Sequence, residues 1–254
     1  MKKLDSPHTL RLLIALGAAG LLGPAAASAQ TPAISFTSDA IGFEDNAADT
    51  PYSSYSLGFE FTANSPVFVT SLGYFNDPSY TAPNWVNLSP PQTAPSNFAD
   101  SHEVGLFQVI PGVGTLPESG LLLASATVTN ASTPYGDFAY TSIAPLALIA
   151  GDTYVLAGVT GASDPYVYDV QSSAGGVGLL VDPSITYVED RSAVSDTLTF
   201  AGSTDTFGTP GYFGPNLLTT DIAPVPEVSS AVSLGLLLVF GSLAVVVRRR
   251  SRSL

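Results

Sequence analysis

The sequence predicts an all-β domain, a two-sheet antiparallel sandwich of jelly-roll type. Three observations carry this. Short runs rich in Val, Ile, Thr, Tyr and Phe recur between Ile34 and Leu218, and helix-period patterning is scarce there. Turn residues punctuate the runs, at Asn76-Asp77-Pro78, Pro111-Gly112, Ala150-Gly151-Asp152 and Gly175-Gly176. The chain carries 23 Gly and 20 Pro, yet its hydrophobic fraction is 45%, enough to fill a core rather than remain disordered.

In chain order the expected strands are Ile34–Ser38, Tyr55–Thr62, Val67–Phe75, His102–Val109, Leu121–Val128, Ala139–Pro145, Thr153–Val159, Ser184–Glu189 and Thr197–Phe200. Within Val67–Phe75, alternation separates Val67, Val69, Ser71, Gly73 and Phe75 from the bulkier Phe68, Thr70, Leu72 and Tyr74, and the bulkier set is expected inward. Asp77–Asp100 holds five prolines and the single Trp, Trp85, and reads as a long surface loop.

The placement of charge is more telling than its total. Lys2, Lys3 and Arg11 precede the first apolar run, and Arg248, Arg249, Arg250 and Arg252 follow the last. Between Gln30 and Glu227 stand one base, Arg191, and twenty acids, a formal charge of −19. Nucleic acid is excluded as a partner, because phosphate contacts need Lys and Arg. There is no cysteine, so disulfides, thiolate metal sites and cysteine nucleophiles are excluded together.

Both ends read as addresses. Residues 1–29 combine a basic start, the apolar run Leu12–Leu22 and small residues at Ala27 and Ala29, the three parts of a secretory signal peptide cut after Ala29. The alternative, a retained anchor, needs a longer run. Residues 228–247 are twenty uncharged residues, long enough as a helix to cross the roughly 30 Å hydrocarbon core. The Arg248–Arg252 cluster then stays cytoplasmic and the body, 30–222, faces outward. A buried core helix is the competing reading of this span.

Before the span lies Val225-Pro226-Glu227-Val228-Ser229-Ser230. This block, the apolar span and the terminal Arg cluster resemble the PEP-CTERM sorting signal, so 223–254 reads as a sorting tail. The resemblance implies an exosortase-type membrane protease as processing partner, delivery by the export machinery, and an association with exopolysaccharide. Val228 stands where the family has a second proline; Val joins a helix where Pro holds the chain extended. The body, from Tyr55 to Asn216, resembles an uncharacterised β-sandwich ectodomain common among such proteins. The carrying segments are Leu57–Phe61, Val69–Phe75, Asp100–Phe107, Leu122–Val128, Leu148–Leu156 and Gly211–Asn216. That resemblance implies a fold and a location and brings no catalytic residues.

The body offers little for catalysis. Its one imidazole, His102, would have to be the base of any Ser-His-Asp triad, and no Gly-x-Ser-x-Gly elbow accompanies it; an ordinary structural or edge histidine is expected. One His and no Cys cannot build a His-rich zinc site. Paired carboxylates for glycoside hydrolysis are a distant third reading, since nothing in the sequence aligns two acids across a cleft. No cofactor is expected apart from calcium, which takes six to eight oxygen ligands. Asp77, Asp100 and Glu103 at the ends of the long loop are its candidate ligands, with Glu44-Asp45-Asp49 and Glu189-Asp190 as further loop clusters; the competing reading is solvated surface acids. Trp85, Tyr80, Tyr135 and Tyr166 in loop-like segments raise sugar stacking, against which stands packing of their own loops. The resulting expectation is a non-enzymatic, exported structural or adhesive protein, with a carbohydrate-binding module as the alternative.

Overall fold

The computed structural model describes residues 29–36, 41–44, 54–76, 98–114, 117–161, 164, 166–170, 179–204, 211–221 and 223. The expected signal region up to Ser28, the expected sorting tail from Pro224 and most of the expected long loop, including Asp77, Tyr80 and Trp85, lie outside these. Among the described residues no helix is long and apolar enough to cross a membrane.

The described chain is all-β. Its strands are β1 (Thr31–Pro32), β2 (Ile34–Phe36), β3 (Ile41–Glu44), β4 (Tyr55–Ala63), β5 (Val67–Phe75), β6 (His102–Ile110), β7 (Ser119–Val128) and β8 (Thr133–Tyr135). They continue as β9 (Phe138–Leu148), β10 (Thr153–Val159), β11 (Tyr166–Val170), β12 (Leu179–Val181), β13 (Ile185–Val194), β14 (Ser203–Thr204) and β15 (Pro215–Thr220). One sheet has the order β1-β15-β5-β9-β8 and the other β14-β13-β4-β10-β6-β7, with small pairs β3–β11 and β2–β12. All the pairings are antiparallel.

The two large sheets share one core. Phe59, Phe61, Leu106, Tyr154 and Leu156 come from the six-stranded sheet, and Leu72, Tyr74, Phe138 and Leu217 from the five-stranded one; all are buried in a single cluster. Full burial of such side chains contributes about 1.5–3 kcal/mol each. Phe213 packs between β4 and β2, its ring 5.5 Å from Phe59 and 5.8 Å from Phe36. Buried Asn216 joins β2 to the five-stranded sheet: its Nδ2 donates to Ile34 O at 2.8 Å, and its Oδ1 accepts from Ile34 N at 3.3 Å. The amide stands in for a peptide group where the ladder ends, so no buried backbone group of Ile34 is orphaned.

Val67–Phe75 and Thr153–Val159 form strands with the expected bounds, but the inward set of β5 differs from expectation. Val67 and Val69 point into the core, then Leu72 and Tyr74, while Phe68 is only half-buried. The cause is a bulge. Val69 pairs with Leu146 and Ser71 with Ser142, so Thr70 alone faces Ile143–Pro145 of β9. A two-residue period cannot survive such an insertion, and the inward phase switches there. Pro145 sits inside the bulge, where its missing N–H leaves no ladder position empty.

Two further expectations are corrected, and one strand was unforeseen. Thr197–Phe200 is a strap, not a strand. Ser56 Oγ donates to Thr199 O at 2.7 Å, and Leu198 and Phe200 pack on Phe107, Val155, Ala157 and Ala201, a second apolar cluster. Strand β13 runs on to Val194, so Glu189 and Asp190 lie in a strand rather than a loop; its bulge falls at Val188. Finally β15, entirely buried, was not anticipated from Pro-Asn-Leu-Leu-Thr-Thr.

Candidate functional site

Strand β6 opens on His102, directly after the described residues 98–101. The imidazole is fully buried rather than at an edge. Its Nδ1 lies 2.9 Å from Val159 O at the end of β10, and Nε2 lies 3.0 Å from Asp164 Oδ2. A carbonyl can only accept, so Nδ1–H donates to Val159 O, while Nε2 faces the carboxylate. The ring lies flat on Tyr74, 3.8 Å between centroids and 4° from parallel, with Phe98 edge-on at 5.0 Å.

Asp164 is the hub of this cluster. Beyond His102 it accepts the backbone N–H of Ala99 and of Asp100, each at 2.8 Å. Burial works to raise its pKa, but these three donors outweigh it and hold the carboxyl below its ordinary value. The same burial, with the Asp164 charge adding to it, pushes the Tyr74 phenol far up, and the Tyr74 hydroxyl has no hydrogen-bond partner among the described residues. Both ring nitrogens of His102 are committed and no solvent reaches them. As chemistry this is a clamp: it ties the returning loop, β10 and the Asp164 segment to the core.

The second charged cluster surrounds Arg191, which is 5% exposed. Its guanidinium ion-pairs with Glu60 on β4 and lies 3.3 Å from Glu189 Oε1. Glu118 Oε1 is 3.0 Å from Nη1 but lacks hydrogen-bond alignment, so that contact is Coulombic. One cation thus serves three carboxylates. Burial raises the Glu60 pKa, Arg191 opposes it, and Glu118 and Glu189 reinforce it. Asp190 next door is structural, accepting from Tyr187 Oη and Gly211 N, both at 2.8 Å.

Of the calcium candidates, Asp100 is half-buried beside Gly161, and Glu103 is exposed and accepts from Leu198 N at 3.4 Å. Among the described residues no three His, Asp or Glu converge as a metal-holding group. Of the aromatic candidates, Tyr135 is half-exposed on β8, but Tyr166 is buried in β11 against Tyr212 instead of lying in a loop. The residues expected to sort the chain, Val225, Pro226, Glu227, Arg248, Arg249, Arg250 and Arg252, and the expected signal residue Ala27 lie outside the described residues; Ala29 is exposed.

Sequence reasoning missed one feature altogether. An open groove of about 510 Å³ runs between Leu123–Ala126 of β7 and Thr141–Leu146 of β9, with no charged residue in its walls. In the stretch from Gln30 to Glu227, of charge −19, the signal available beforehand was the absence of acids from Ser119–Val128 and Phe138–Leu148. No family model matches the chain, and no curated protein matches it.

Proposed function

We propose that this chain is a non-enzymatic envelope protein, exported by its N-terminal signal and held in the inner membrane by residues 228–247. Its jelly-roll-like sandwich is displayed outside in a structural or adhesive role associated with exopolysaccharide. An exosortase-type protease is its processing partner, and cleavage near Glu227 would release it to the surface or matrix. The observation that carries this reading is the confinement of Lys and Arg to the two ends, flanking apolar stretches, around a body with Arg191 alone. The commitment of both His102 nitrogens to structural bonds accords with a body that has no base to spare.

Intact-mass analysis of the protein recovered from fractionated cells tests it. The expected species starts at Gln30 and sits in the membrane or outside it, and loss of residues beyond Glu227 reports processing. A cytosolic product bearing Met1 and Leu254 overturns the reading.

The second reading, a carbohydrate-binding module using calcium, is favoured by the half-exposed face of Tyr135, whose ring stands edge-on to Tyr140 at 6.4 Å. It predicts glycan binding that falls with Trp85→Ala, and a rise in melting temperature with calcium that Asp100→Asn removes. Binding indifferent to Trp85, with no response to calcium or chelator, eliminates it.

A further inference from the structure

Between β13 and β14 the chain leaves the six-stranded sheet and crosses its outer face. Residues 195–202 form no strand, yet Leu198 and Phe200 pack on Phe107, Val155 and Ala157 of β6 and β10. Two positions without a side chain receive them. The space over Gly105 is filled by Leu198 and Leu122, and that over Gly120 by the Phe200 ring. Phe200 also stands edge-on to Phe107 at 5.8 Å. The surface is a shaped bed for large apolar side chains two residues apart, which is the spacing of one face of an extended chain.

The strap is held on this bed differently from a strand. Its backbone is met by side chains: Ser56 Oγ donates to Thr199 O at 2.7 Å, Glu103 Oε2 accepts from Leu198 N at 3.4 Å, and Arg191 Nη1 donates to Gly202 O at 3.4 Å. Leu198 and Phe200 stay half-buried, and Asp196, Thr197 and Thr199 are exposed. The rim of the bed is acidic. Glu103 stands at the Leu198 end, and Glu60, Glu118 and Glu189 surround Arg191 at the Gly202 end, four carboxylates against one guanidinium. The strap answers this rim with a further acid, Asp196.

We propose that this face is a peptide-binding surface which the strap occupies in cis. Its external occupant is an extended segment of another protein, with two large apolar residues at alternate positions flanked by Lys or Arg. The seated strap shows the apolar chemistry the bed takes, and the carboxylate rim selects a cationic competitor over the strap. The same rim turns away a second copy, whose strap brings Asp196 to it. A short tether gives the strap a local concentration of order millimolar, so an uncharged segment is excluded while one that adds ion pairs at the rim displaces it. Such pairs are exposed, and salt weakens them. This inference stands apart from the export reading, since the surface exists wherever the chain resides.

The probe is the peptide Lys-Thr-Leu-Thr-Phe-Ala-Lys, which copies Thr197–Ala201 between two lysines. Glu-Thr-Leu-Thr-Phe-Ala-Glu and Lys-Thr-Ser-Thr-Ser-Ala-Lys are its controls. Fluorescence anisotropy with the full chain in detergent should show the probe binding at least tenfold more tightly to Leu198→Ser/Phe200→Ser, in which the strap is unseated, than to the unaltered chain. Binding should fall as salt rises and exceed both controls several-fold, and adding Gly105→Val to the double variant should remove the gain. No gain in a double variant that keeps a cooperative urea transition overturns the proposal. Equal binding of the serine control, which would mean charge alone, also overturns it. In the unaltered chain, saturating probe should speed amide hydrogen exchange at 195–202 and leave β4 and β10 protected. Unchanged exchange there overturns the proposal whether or not the double variant folds.

Discussion

The imidazole of His102 lies flat against the phenol ring of Tyr74, 3.8 Å away, while its Nε2 faces the carboxylate of Asp164. Tyr74 belongs to the five-stranded sheet and His102 to the six-stranded one, so this stack is a contact across the sandwich. Asp164 also fixes the backbone just before β6, by accepting the Ala99 and Asp100 amides.

Removing one partner should cost more than altering the other. His102→Ala strips Asp164 of its side-chain donor and leaves Val159 O unpaired in the core, a loss of about 3–5 kcal/mol for a broken buried pair. Asp164→Asn should cost less, since the amide oxygen can still accept from a backbone N–H. Urea unfolding of the two variants checks the order, and the reverse order contradicts the clamp.

Two carboxyls act on the pH dependence of stability with opposite sign. The Asp164 pKa is lowered, so its contribution is present above the ordinary value of 3.8 and is lost as pH falls through the depressed one. That of Glu60 is raised above 4.5, so the folded state binds the extra proton and gains stability as pH falls from neutrality towards 4.5. Asp164→Asn should therefore blunt the loss of stability below 3.8, and Glu60→Gln should flatten the rise above 4.5. Denaturation midpoints across this range, compared with the wild type, decide both.

Arg191 compensates three carboxylates at once. Arg191→Met leaves Glu60 buried without its cation and should destabilise by about 3–5 kcal/mol at neutral pH. The loss should shrink on acidification as Glu60 takes up a proton. Lysine cannot span Glu60, Glu118 and Glu189 as the guanidinium fork does, so Arg191→Lys should recover only part of the loss. Calorimetry at neutral and mildly acidic pH tests this; a loss independent of pH would mean that packing, not charge, dominates.

The strap over the outer face depends on two glycines. A Cβ on Gly105 would stand 2.7 Å from Leu198 Cδ2, and one on Gly120 would run into the Phe200 ring. Gly105→Val and Gly120→Val should each cost about 1–3 kcal/mol through overpacking. They should also expose 195–204 to proteolysis before the sheets unfold. Unchanged cleavage kinetics would show that the strap can shift at little cost.

Strand positions were legible wherever β-branched and aromatic residues alternate between turns, as in Val67–Phe75 and Thr153–Val159. They were illegible where the backbone departs from a plain ladder. The bulge opposite Thr70 switches the inward phase of β5, so Val67 and Val69 point inward before it while Leu72 and Tyr74 keep the expected side after it, and nothing local in Val67–Phe75 announces the switch, because it is set against Ile143–Pro145 of another strand. Strand β15 carries two Leu among polar neighbours, and only its position between β1 and β5 buries Asn216, Thr219 and Thr220. For the candidate sites, Asp164 was passed over as one acid among twenty. Its partnership with His102, 62 residues away, exists only after β6 and β10 pair.

By itself the sequence determined the all-β class and the acidic body without cysteine, because composition and short-range periodicity act residue by residue. Tertiary structure alone decided which acids became structural and that His102 is sealed in the core. Those outcomes depend on which distant segments become neighbours, and burial and pairing have no value until they do.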